Sequence, residues 1–127
     1  MAQIREITAH FENGNRYFEN ALGNEFYYTQ STGPYEYLLG ALAGCYVSTL
    51  YGYDRKTNIE KIDVSVQGIK QDIVPTTLER TTITIKAYGV DDKEEFSNLA
   101  KRATMDCSIY QTIAKVSKMI LNIEFED

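Results

Sequence analysis

The sequence predicts an α+β domain, and three observations point to that class. Apolar residues alternate with polar ones up to about residue 30, lose that alternation after Gly33, and regain it from Ile62. Tight-turn pairs punctuate the first stretch. Helix-start residues, Pro34 and Asp92, open the stretches where alternation stops. The order along the chain reads βββ-α-ββ-αα-β, with antiparallel sheets packed around central helices. The chain has 127 residues, 43% of them hydrophobic, which suits a single domain over 1–127 with a core of its own.

The elements follow in order. In "QIREITAHF", Ile7, Ala9 and Phe11 share one face. Asn13-Gly14 is a two-residue turn signal, and "RYFENAL" returns as a second strand. Gly23-Asn24 reads as another such turn before "EFYYTQ". "STGPYEYLL" then starts a helix: Gly33 or Thr32 can cap it, Pro34 suits its first position, and Glu36 falls in its first turn. This helix is predicted to run to about Tyr53. Its Gly40, Ala41, Ala43 and Gly44 form a run of small residues, and the two glycines cost helix propensity, so some neighbour is expected to need them small.

Two strands follow, one with Ile62, Val64 and Val66 on one face, the other with Ile83, Ile85 and Ala87. They should pair antiparallel across a loop that carries Pro75. Asp92 and Glu95 form a variant capping box for the next helix. A second helix follows a break near Met105, with Asp106 as its cap and Cys107 in its first turn. Leu121, Ile123 and Phe125 mark a last strand.

Composition narrows the function. The net charge of −5 is spread over mixed signs with no basic block, which argues against nucleic acid and anionic membrane as partners. No stretch is apolar enough to span a bilayer, and "MAQIREITAHF" has no signal-peptide character, so a cytoplasmic location is the expectation. No pattern for a cofactor is present: "GALAG" lacks the strand and lysine of a phosphate loop. One histidine and two cysteines are too few for a structural zinc site, so no metal is expected.

The cysteines are the chemically interesting residues. Cys45 sits in an apolar helix, where a thiol often only fills space. Cys107 is placed at a helix start, where unpaired N–H groups favour a thiolate, although the neighbouring Asp106 opposes it. A disulfide needs Cα atoms within about 7 Å, so two helices would have to bring the pair together. The residues permit this without requiring it.

The helix "GPYEYLLGALAGC" resembles the signature helix of the OsmC/Ohr family, the osmotically induced and organic-hydroperoxide-resistance proteins. Pro34, Glu36, Leu38, Leu39, Gly44 and Cys45 carry the likeness, and Cys107 in "MDCSIYQTIAKV" is similar to the family's second cysteine. The resemblance covers essentially the whole chain. It implies an OsmC-like fold completed as an intertwined homodimer. It also implies a cysteine-based thiol peroxidase that reduces an organic hydroperoxide and is reset by an external dithiol. Cys45 would form a sulfenic acid and Cys107 would close a disulfide on it. An arginine, Arg16 by alignment, would stabilise the thiolate, held by Glu36, with Arg5, Arg55, Arg80 and Arg102 as alternatives. The substrate pocket would use Tyr35, Leu38, Leu42 and Tyr46.

Two departures stand out. Tyr35 occupies the place where the best-characterised peroxidases carry the glutamate, and Glu36 comes one position later, as in another OsmC-like branch. From Glu36 to Cys45 a straight helix turns about 900°, which sets the two on opposite faces, so Glu36 also reads as an ordinary first-turn carboxylate. Ser108 replaces the usual proline after the second cysteine. The other reading kept open is a catalytically silent dimer that binds a small apolar ligand.

Overall fold

The computed structural model describes residues 3–127. The chain falls into two compact units, one up to Leu38 and the other Leu39–Asp127.

The first unit is a three-stranded antiparallel sheet in the order β1 (Ile7–Glu12), β2 (Asn15–Asn20), β3 (Glu25–Tyr27). Glu12 pairs with Asn15, so the first turn holds only Asn13 and Gly14, at φ 51° and 82°. Both need left-handed backbone, which is why Asn-Gly occurs here. The second turn is longer than the sequence suggests. Asn20 donates its N–H to the Asn24 carbonyl, and its side chain accepts from the N–H groups of Leu22 and Asn24. Gly23, at φ 85°, closes this three-residue loop. Asn20, read as a strand residue in the sequence, is the turn's organiser, since a short amide can bond its own backbone. Phe18 stacks on Phe26 and meets Tyr37 edge-on, and the Tyr37 hydroxyl donates to the Tyr27 carbonyl at 2.6 Å. His10 meets Glu19 across the pair at 3.4 Å.

Helix α1 (Pro34–Tyr51) begins at the end of this unit and continues into the next. Gly33 is its cap: its carbonyl accepts the first helical bond from the Tyr37 N–H. The helix is apolar nearly all round, yet only Leu42, Tyr46 and Leu50, spaced four apart, are fully buried.

The second unit carries the core. Its sheet runs β4 (Lys61–Lys70), β5 (Leu78–Tyr88), β6 (Lys118–Glu126), with β5 central. β4 and β5 pair antiparallel as expected. β6 does not: it pairs parallel to β5, with Ile83 opposite Leu121 and Ile85 opposite Ile123. The expectation of wholly antiparallel sheets is corrected here. Helices α2 (Lys93–Asp106) and α3 (Ser108–Ala114) form the connection between β5 and β6, and such a helical crossover suits a parallel return.

Ile83, Ile85 and Ala87 of β5, Phe96, Ala100 and Ala103 of α2, and Ile113 of α3 join the α1 stripe in the core. Phe96 meets Phe125 of β6 edge-on. The Tyr46 hydroxyl donates to the Ala100 carbonyl at 2.9 Å, so α1 and α2 are tied by a buried polar bond. Gly68 of β4 has no room for more: a Cβ there would lie 2.7 Å from the Leu78 side chain.

Asp92 caps α2 as expected, accepting from the Glu95 N–H at 2.9 Å. Glu95 does not close the box. Its carboxylate takes the N–H groups of Lys56 and Thr57, and Thr57 Oγ1 accepts the Asp92 N–H. The loop after α1 is thereby clasped to the start of α2.

Candidate functional site

The two cysteines, remote in sequence, meet. Cys45 lies on α1 and is half-buried, Cys107 is fully buried, and the two side chains are hydrogen-bonded as free thiols. Cys107 sits where α2 stops and α3 starts, with extended backbone at φ −74° and ψ 116°. Its N–H donates to the Ala103 carbonyl, ending α2. Its sulfur accepts from the Tyr110 N–H at 3.4 Å, starting α3. The sequence placed Asp106 as that cap and Cys107 inside the first turn. The structure moves the cap one residue on, because a thiol can take the role usually given to a hydroxyl or carboxylate. The cap also fixes Cys107 without the proline that Ser108 replaces.

N–H groups at the start of α3 also serve the other sulfur. Burial pushes the Cys45 thiol up. The Ile109 N–H, the Cys107 S–H, the Ser108 N–H and the Thr49 hydroxyl outweigh that push and hold Cys45 below the ordinary thiol value. Cys107 goes the other way. Burial, with its bond to and charge interaction with Cys45, raises it to about 11 against the Tyr110 and Ile109 N–H groups. The arrangement is therefore a buried thiol, protonated at neutral pH, donating to a sulfur that gives up its proton more readily than an ordinary thiol. The sequence left open whether the helix start or Asp106 decides at Cys107; the structure raises Cys107 and lowers Cys45.

The other expected site residues fall as follows. Glu36 accepts the Gly33 N–H at 2.7 Å, the return half of a capping box at the start of α1. Arg16 is exposed on β2 opposite Phe11 and makes no ion pair among the described residues. It lines a groove of about 300 Å³ with Phe11, Tyr28, Thr29, Gly33 and Pro34. Tyr35 is half-buried and Leu38 is 38% exposed. Leu42 and Tyr46 are corrected from pocket walls to core: both are 0% exposed, so neither touches space that a substrate can enter. Burial, with the Tyr110 and Cys107 groups next, keeps the Tyr46 hydroxyl protonated for its bond to Ala100. Among the alternative arginines, Arg55 lies over the Tyr51 ring and Arg102 over the Tyr53 ring.

Two features escaped the sequence reading. The donors on Cys45 are backbone groups of Ser108 and Ile109, which side-chain identity does not reveal. Asp106 binds the Tyr53 hydroxyl and Arg102, a meeting of distant residues without a local signal. Among the described residues no cluster of three or more His, Cys, Asp or Glu side chains is placed to hold a metal, and no helix is long and apolar enough to cross a membrane.

Fold and site together define a two-cysteine α+β domain with its thiols paired across helices. Residues 28–122 match the OsmC-like protein family, and the chain belongs to that family. Solved structures agree on the fold. A hypothetical protein from Aquifex aeolicus VF5 superposes with a TM-score of 0.88 at 16% identity, covering 98% of both chains. An OsmC-like protein from Mycoplasma pneumoniae gives 0.82 at 16% identity over 100% of both chains. An organic hydroperoxide resistance protein from Elizabethkingia anophelis gives 0.75 at 18% identity over 99% of both. No curated protein sequence matches the chain.

Proposed function

We propose that this protein is a thiol peroxidase for organic hydroperoxides, with Cys45 as the attacking sulfur and Cys107 as the resolving one. The observation that carries the reading is the contact between two free thiols held in opposite protonation tendencies. The likeness to organic hydroperoxide resistance proteins supports it.

The chemistry balances with these groups and two small molecules. The Cys45 thiolate attacks the terminal oxygen of the hydroperoxide, the O–O bond breaks, and the alkoxide leaves as the alcohol with a proton from solvent. Cys45 is now a sulfenic acid. The Cys107 sulfur attacks it, an S–S bond forms, and hydroxide leaves as water with the Cys107 proton. An external dithiol reduces the disulfide and is itself oxidised. Arg16 and Glu36 are assigned no step.

The working unit in this proposal is a homodimer. A Cβ added at Gly40 or Gly44 of α1 meets nothing within 4 Å, so the subunit itself does not need these helix-weakening glycines. A second copy approaching that face supplies the need.

The test is cumene hydroperoxide added to the reduced protein while thiols and peroxide are followed. Loss of two thiols per subunit, abolished by Cys45→Ser, supports the enzyme. Thiols that survive excess peroxide transfer the case to the silent ligand-binding dimer, which the commitment of Glu36 to a cap already favours.

A further inference from the structure

Asp106 brings a carboxylate to within one residue of the buried Cys107, and two groups converge on it. The Tyr53 hydroxyl, from just beyond α1, donates to Asp106 Oδ2. Arg102, one turn earlier on α2, places Nε 3.5 Å from the same oxygen. The guanidinium also covers the Tyr53 ring at 4.3 Å from its centroid, so the three side chains contact one another pairwise. Arg102 and Asp106 are 63% and 51% exposed, and a pair that open adds little to stability. Its placement is the more informative fact. Cys107 is the hinge between α2 and α3, and Asp106 is the last residue before it.

We propose that Tyr53 and Arg102 are positioning residues for the resolving step: held on Asp106, they offset a negative charge one residue from the Cys107 hinge. The proposal rests on the reading of Cys45 and Cys107 as a redox pair. The sulfur of Cys107 must develop negative charge as it attacks, and an uncompensated Asp106 opposes that. The other titratable groups interacting with Cys107 are Cys45 and Tyr46 of α1, Tyr53 beyond it, and Tyr110 of α3; none of these is a cation. Arg102 is the cation this cluster holds.

The test uses diamide, an oxidant that is not a peroxide. The Cys45 thiolate adds across the N=N bond and one nitrogen takes a proton. The Cys107 sulfur then displaces the hydrazine, giving the disulfide and reduced diamide. Adduct formation and closure are separated by quenching with N-ethylmaleimide and weighing the protein. Tyr53→Phe and Arg102→Gln are expected to slow closure about three- to tenfold at low salt, with adduct formation changed less than about twofold. Adding Asp106→Asn to Arg102→Gln restores closure, and so does raising salt to about 1 M, which screens the freed carboxylate. Closure at the wild-type rate in both single variants overturns the proposal. So does a slowing that neither salt nor Asp106→Asn relieves, which marks a merely structural role. Wild-type protein that closes with diamide and ignores cumene hydroperoxide overturns the peroxidase reading alone.

Discussion

Cys45 lies inside a regular helix, half-open to solvent, with its sulfur turned to backbone donors from a different element. Cys107 lies between two helices, closed to solvent, with its sulfur spent on ending one and starting the next. The same thiol chemistry is therefore driven down at one position and up at the other. The lesson is that location on a helix start did not acidify the cysteine that caps it. The capping sulfur is buried by the joint, and that burial outweighs its backbone N–H bonds, while the sulfur arriving from α1 is less buried and the Ile109 and Ser108 N–H groups help to outweigh its burial.

The largest contrast concerns turnover. Cys45→Ser and Cys107→Ser are each expected to abolish multiple turnovers with an organic hydroperoxide, at different steps. Cys45→Ser leaves peroxide untouched. Cys107→Ser consumes a single equivalent and accumulates a sulfenic acid that dimedone labels.

Next comes stability along α1, where the helix has a core side and an open side. Leu42→Ala is expected to cost about 2–5 kcal/mol, against well under ~1 kcal/mol for Leu38→Ala, measured by urea unfolding of the reduced protein. Equal costs would show that Leu42 does not belong to the core as described.

A smaller effect is the pH profile of alkylation. Iodoacetamide reacts with the thiolate, so the rate rises as pH climbs through the thiol's own pKa. Because Cys45 is lowered, its rise falls at lower pH than that of an ordinary thiol, and Cys107 stays unlabelled in the native protein. Cys107→Ala removes the S–H donor and moves the Cys45 midpoint upward. A midpoint that stays put would assign the whole effect to the Ser108 and Ile109 backbone.

The smallest is Glu36→Ala, which removes the carboxylate from the Gly33 N–H and is expected to lower stability by about 0.5–1 kcal/mol while peroxide turnover stays within about twofold. A turnover loss of a hundredfold would return Glu36 to the catalytic machinery.

Much of this was legible in the sequence because local chemistry dictates it. Asn13-Gly14 fixes a turn, Pro34 and Glu36 fix a helix start, and alternation in β4 and β5 fixes their shared face. The contact of Cys45 with Cys107 was not legible from spacing; it came as an implication of family likeness. What escaped was set by tertiary neighbours. The parallel return of β6 depends on the path of α2 and α3, which strand patterns do not record. Leu42 and Tyr46 looked equivalent to Leu38 as apolar helix residues, and only their full burial, with the Tyr46 bond to α2, separates them. Asp106 looked like a cap and instead binds Tyr53 and Arg102.

The most direct test is to add one equivalent of cumene hydroperoxide to reduced protein, digest it without reduction, and identify by mass spectrometry the bond formed. The account predicts a Cys45–Cys107 disulfide within one subunit, preceded by a sulfenic acid on Cys45. A sulfenic acid that forms first on Cys107, or a disulfide joining Cys45 of two subunits, would contradict it.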